Sequence, residues 1–112
     1  MGKKVSFGVW LTVSAGDEDD YVLYTVEAAR RFVTKSVYVY FPPGTYGELE
    51  ISIKRGIKQI APYSGSYRGD ACVIEDEFIE DISSAERVII HYKNNNTTNT
   101  KEAFIIVRGV LE

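Results

Sequence analysis

Two alternating apolar runs meet at a Pro-Pro-Gly break in the stretch from Ser36 to Pro62, SVYVYFPPGTYGELEISIKRGIKQIAP. In the first run Val37, Val39 and Phe41 point one way while Tyr38 and Tyr40 point the other, the two-residue period of a strand. Pro42 and Pro43 cannot donate to a ladder and end it, and Gly44 and Gly47 supply the positive φ that a reversal needs. The second run, Glu48 to Lys54, alternates polar residues with Leu49, Ile51 and Ile53, a strand with one wet face and one buried face. Arg55-Gly56 signals a turn, and Ile57 to Ala61 forms another short extended piece that Pro62 closes.

The same pattern extends to the rest of the chain. Val5, Phe7, Val9, Leu11 and Val13 alternate with Ser6, Gly8, Trp10, Thr12 and Ser14, which predicts an amphipathic first strand. Ala15-Gly16 and the acidic run Asp17 to Asp20 follow, and their like charges favour a solvated loop. Residues 21 to 35 are ambiguous. Asp20 is placed to cap a helix carrying Val22, Val26, Ala29 and Val33 on one stripe, whereas YVLYTV on its own passes for a strand. The β-branched and aromatic density through Val26 favours a strand followed by irregular chain or a short helical segment near residues 26–34. Tyr63 to Asp70 reads as a loop displaying Tyr63 and Tyr67, Ala71 to Ile74 as a short strand, and Glu75 to Asp81 as an edge or connecting piece whose charges discourage edge pairing. RVIIHYK and AFIIVRGVL are strands, joined by a polar hairpin loop from Asn94 to Thr100. The unbroken run Ile105-Ile106-Val107 predicts a last strand covered on both faces.

Short strands separated by turn signals, with little helix, predict an all-β protein: an antiparallel β-sandwich of jelly-roll-like form. The expected buried faces include Val37, Val39, Phe41, Leu49, Ile51, Ile53, Val88, Ile90, Phe104 and Ile106. The 112 residues fit one domain, 1–112, able to fold without disulfides or a metal.

Composition narrows the function classes. A net charge of −3 gives no electrostatic footprint for nucleic acid. No stretch has the roughly 18 consecutive apolar residues of a membrane helix, so no membrane insertion is expected. Lys3 and Lys4 ahead of VSFGVWLTVSA imitate a short signal peptide, and Met1-Gly2 with Ser6 fits a myristoylation pattern. Strict alternation through the same residues marks a strand, not a uniformly apolar targeting segment.

The inventory for catalysis is thin. His91 is the only histidine and lies between Ile90 and Tyr92 in a strand, with no partner nearby in the sequence. Cys72, the only cysteine, sits among Ala71, Val73 and Ile74 as a small hydrophobe would. One of each cannot make a His/Cys metal site without carboxylates from elsewhere, and the acidic run lacks the spaced oxygens and central glycine of a calcium loop. The pairs Glu75 with Glu77 and Glu80 with Asp81 have the residue types for glycoside hydrolysis but read as solvated edge charges. No enzyme, cofactor or metal is expected. Arg68-Gly69-Asp70 spells an integrin-recognition tripeptide, but Gly-Asp is also an ordinary turn pair. Asn95-Asn96-Thr97 and Asn96-Thr97-Thr98 are glycosylation acceptors if the chain is secreted, and turn residues in either case.

From residue 36 to the end, the order of features resembles small β-sandwich, jelly-roll-like structural proteins of phage or archaeal virus particles. It carries a strand ending in FPPG, then GELEISIKRGIKQIAP, a glycine and aromatic loop, and HYKNNN followed by AFIIVRGVL. The resemblance implies a non-catalytic virion or surface subunit that associates with copies of itself and with other particle proteins. The alternative is a carbohydrate- or receptor-binding module, for which Trp10, Tyr38, Tyr40, Tyr63 and Tyr67 offer stacking surfaces. The candidate interface or binding residues are Tyr38, Tyr40, Tyr63, Tyr67, Arg68 and Asp70.

Overall fold

The computed structural model describes residues 2–112, so Met1 of the myristoylation pattern lies outside the described residues. Nine strands follow one another among the described residues: β1 (Lys3–Val13), β2 (Glu18–Thr25), β3 (Phe32–Phe41), β4 (Leu49–Arg55), β5 (Lys58–Ala61), β6 (Cys72–Glu77), β7 (Asp81–Ile82), β8 (Arg87–Asn94) and β9 (Lys101–Leu111). They form two antiparallel sheets. The front sheet runs β1-β9-β3-β6, with β7 also on β3, and the back sheet runs β2-β8-β4-β5. The chain therefore passes from one sheet to the other at six of its eight connections, and the two sheets pack as a β-sandwich.

Alternation turns one face of each strand toward the opposite sheet, and those residues make the core. Val37, Val39 and Phe41 of β3 meet Leu49, Ile51 and Ile53 of β4 and Val88 and Ile90 of β8, all buried. On the open side between β1 and β2, Phe7 stacks on Tyr24 at 4.1 Å, and Phe32 meets both rings edge-on at 5.4 and 5.9 Å. A shift of register in β3 between Thr34 and Ser36 marks where β6 gives way to β7. There the buried Thr34 hydroxyl donates to the Phe78 carbonyl at 3.0 Å and accepts the Glu80 amide at 2.8 Å, holding the crossover.

Three expectations are corrected. Phe104 and Ile106 are not in the core: Ala103, Ile105 and Val107 point inward, and Phe104 and Ile106 stand half-buried on the outer face. An apolar run with no alternation carries no phase, so the inward set had to be decided by the register with β1 and β3. Between β2 and β3 the chain takes the irregular form, one of the two expected after the strand, with a turn at Ala28-Ala29 that leads into β3. The acidic residues Glu18 to Asp20 are strand, because Lys93, Tyr92 and His91 lie opposite them on β8. Finally, residues 94–100 make no hairpin, since β8 belongs to the back sheet and β9 to the front.

Gly109 sits where β9 passes closest to β3. A Cβ there would fall 2.3 Å from the Val33 carbonyl oxygen and 2.7 Å from the Phe32 ring. Gly109→Ala is therefore expected to be strongly destabilising, and Ile51→Ala to cost about 2–5 kcal/mol by leaving a cavity between the sheets. Urea denaturation checks both. A loss below about 0.5 kcal/mol at Ile51 would be the scale of a surface change and contradict its place in the core.

Candidate functional site

The outer face of the front sheet is aromatic. Trp10 of β1, Phe104 of β9, Tyr40 of β3 and Val73 of β6 stand side by side in one row across four strands. The next row places Gly8, Ile106, Tyr38 and Glu75 in the same order. Trp10 lies 6.0 Å from Phe104 in a stacked arrangement and 6.4 Å from Tyr40, while Tyr38 meets Phe104 edge-on at 6.5 Å. The Arg108 guanidinium covers the Tyr38 ring at 5.6 Å, and Trp10 donates its indole N–H to Glu102 at 3.3 Å. Trp10 and Val73 each remain 49% exposed, so the two ends of the row face solvent. Gly8 contributes no side chain, and its neighbours close over it: a Cβ there would fall 3.3 Å from Ile106 Cγ1 and 3.6 Å from the Phe104 ring.

The predicted binding residues divide. Tyr38 and Tyr40 join Trp10 on this platform, with Phe104, Ile106 and Val73 as members that alternation alone did not supply. Their signal was the apolar character of AFIIVRGVL at both parities, which reads equally as a buried central strand. Tyr63 stands fully exposed on the loop after β5, away from the rows. Tyr67 is buried, bridges to Ile51 along the edge of β4, and donates its hydroxyl to Asp76 at 2.7 Å. Burial pushes the Tyr67 phenol well above its ordinary range, and the Asp76 hydrogen bond and charge push it further.

Arg68 and Asp70 are occupied in shaping the loop between β3 and β4. Arg68 Nε donates to the Gly47 carbonyl at 2.8 Å. One Asp70 oxygen accepts the amides of Gly44, Thr45 and Tyr46 at 2.8, 3.0 and 3.2 Å. Such successive amides form a cradle for an anion, which here steadies the positive φ of Gly44 (96°) and Tyr46 (52°).

The outer face of the back sheet is ionic instead. His91 lies 2.7 Å from Asp20 through Nδ1 and 2.9 Å from Glu18 through Nε2. These partners lie more than seventy residues upstream, which is why the sequence around His91 did not reveal them. Both ring nitrogens are thereby committed, and the carboxylates sit on opposite edges of the ring, converging on no common point. Burial opposes ionisation of Asp20, but the His91 and Lys54 hydrogen bonds and charges outweigh it and hold the carboxyl below its ordinary range.

At one end of the sandwich a run of asparagines joins the loops. The buried Asn94 amide donates to the carbonyls of Val13, Ser14 and Asn99 at 3.1, 3.3 and 3.0 Å. Asn95 Nδ2 donates to Glu50 at 2.6 Å and Asn96 Nδ2 to Glu48 at 3.0 Å. The two amide nitrogens a glycan would use are thus engaged in the fold. Beside them the buried Lys101 ammonium donates to the Gly44 carbonyl at 2.7 Å and pairs with Glu48 at 3.3 Å. The Asn96 hydrogen bond holds Glu48 below the ordinary carboxylate range, with Lys101 adding to it against some desolvation. For Glu50 the Asn95 hydrogen bond does the same.

No protein-family model matches the chain, and no curated protein matches it. Among solved structures it is similar to one described under Bacillus endospore appendages, a novel family of disulfide-linked pili. The identity is 12%, the match covers 97% of this chain and 89% of that one, and the TM-score is 0.36.

Asp20, Glu48 and Glu50 all have folded pKa values depressed from the ordinary value near 4. A depressed carboxylate contributes stability that is present above the unfolded pKa and is lost as pH falls through the folded one. The urea midpoint is therefore expected to hold from neutral pH to about 5 and to drop below about 4. Asn96→Ala should lower the neutral midpoint and flatten the acid drop. A wild-type midpoint constant down to about pH 2 would contradict the three assignments.

Proposed function

We propose that this chain is a non-catalytic structural subunit that associates with copies of itself. The observation that carries the reading is the aromatic platform. The four strands of that face, two of 11 residues, one of 10 and one of 6, at about 4.8 Å between strands and about 3.3 Å per residue, measure on the order of 600 Å². That is at the lower end of the roughly 600–1,000 Å² per partner of a standard interface. Its centre is Trp10, Tyr38, Tyr40 and Phe104, the residue types enriched where interfaces are driest. In its finer form the proposal is a virion subunit, whether capsid, decoration or spike, at the surface of a particle or cell. The resemblance of residues 36–112 supports that form.

A second reading keeps the same rings for a sugar or a receptor. The exposed Trp10 ring beside Tyr40 favours it, since such a pair offers the apolar face of a sugar a stacking surface.

Sedimentation at micromolar concentration separates the two. The wild type is expected to sediment as an assembly, and Trp10→Ser with Tyr40→Ser to dissociate it while the circular dichroism stays that of a β protein. A monomeric wild type that binds a glycan through the same two rings would overturn self-association and leave the second reading standing.

A further inference from the structure

The front sheet ends in two open edges of opposite charge. β1 pairs only with β9, and β6 only with β3, so each turns one side of its backbone away from the sheet. An open edge is a template for another strand. β1 begins with Lys3 and Lys4, and β6 carries Glu75, Asp76 and Glu77. Neither Lys3, Lys4, Glu75 nor Glu77 has an ion-pair partner among the described residues.

We propose that copies of this chain join head to tail by laying β6 of one antiparallel against β1 of the next, continuing the front sheet from molecule to molecule. The proposal rests on the self-association reading and adds an edge contact to the face contact of the aromatic platform. Direction agrees first. Each neighbouring pair in β1-β9-β3-β6 is antiparallel, so β1 and β6 run opposite ways and a translated copy presents them in antiparallel order. Face and charge then select the register. Lys4 and Ser6 lie on the outer face, as do Val73 and Glu75, whereas Val5 and Phe7 face inward with Cys72 and Ile74. Setting Lys4 opposite Glu75 of the next copy brings Lys3 opposite Asp76, Val5 opposite Ile74 and Phe7 opposite Cys72. Lys3 and Lys4 then each meet an acidic residue, Glu77 lies opposite Gly2, and Val5 and Phe7 meet the inward apolar residues Ile74 and Cys72. Pairing β6 with a second β6 would instead crowd acidic residues together, and pairing β1 with a second β1 gives Lys3 and Lys4 no acidic partner. Because the two edges differ, the contact is heterologous and builds an open chain of copies.

The test uses Lys4→Glu and Glu75→Lys, both at exposed positions, with sedimentation as the readout and circular dichroism to confirm folding. Each variant alone places like charges across every junction. The concentration needed for assembly is expected to rise about tenfold or more in each. The double variant restores opposite charges, and so does an equimolar mixture of the two single variants, whose copies alternate. Both should assemble at wild-type concentrations. Single variants that assemble like the wild type, or a mixture no better than its components, would overturn the junction, and so would a closed dimer of fixed mass. If Trp10→Ser with Tyr40→Ser still dissociates the assembly in that case, the self-association reading survives without this edge contact. A wild type that stays monomeric overturns both.

Discussion

Everything in this protein depends on the contact between two sheets that have no other way to bury their apolar faces. Phe32 and Phe41 on β3, Leu49, Ile51 and Ile53 on β4, and Ile90 and Ile105 on β8 and β9 are fully buried, so the inner layer is made of large, mostly β-branched or aromatic side chains. Such side chains suit the pleat and resist rotation, which favours one packing over many. The sheets are also tied covalently at six of the eight connections, because consecutive strands exchange sides. Most contacts are thus between residues far apart in sequence, the topology of a slow-folding β protein.

Strict alternation is what made much of this legible. The runs Val37 to Phe41 and Leu49 to Ile53 announced their inward residues because a period of two leaves only one assignment of faces. Where alternation failed, the reading failed with it. Phe104-Ile105-Ile106-Val107 is apolar at both parities, and only the register with β1 and β3 shows that Phe104 and Ile106 face outward. Much of the platform was hidden for the same reason, since it is assembled from four strands that the sequence does not place side by side. The β8 to β9 connection was misread as a hairpin because the Asn94 to Thr100 loop has hairpin chemistry at both ends while linking different sheets. The ties of His91 to Glu18 and Asp20, and of Asp70 to the loop after β3, cross long stretches of chain and leave no local pattern.

The two outer faces have become chemically unlike. On the back, Asp20, Lys54, His91 and Glu18 satisfy one another, and a face whose charges are paired has little to gain from a partner. On the front, stacked rings shield one another but cannot remove the rest of their area from water. A sandwich with one satisfied face and one unsatisfied face is oriented, in the sense that contact with its surroundings has a preferred side.

The asparagine end of the sandwich also bears on how the sequence can change over generations. Asn94 binds the β1–β2 connection and its own loop at once, Asn96 binds Glu48 of the β3–β4 connection, and Glu48 binds Lys101 at the start of β9. A single substitution among Glu48, Asn94, Asn96 and Lys101 leaves polar groups unpaired in more than one loop. These positions are therefore constrained to drift as a set, exchanging one complete network for another. The Tyr63 side chain, fully exposed at the tip of its loop, is free to vary alone, while Gln59 holds the loop's backbone at Pro62 and Gly65.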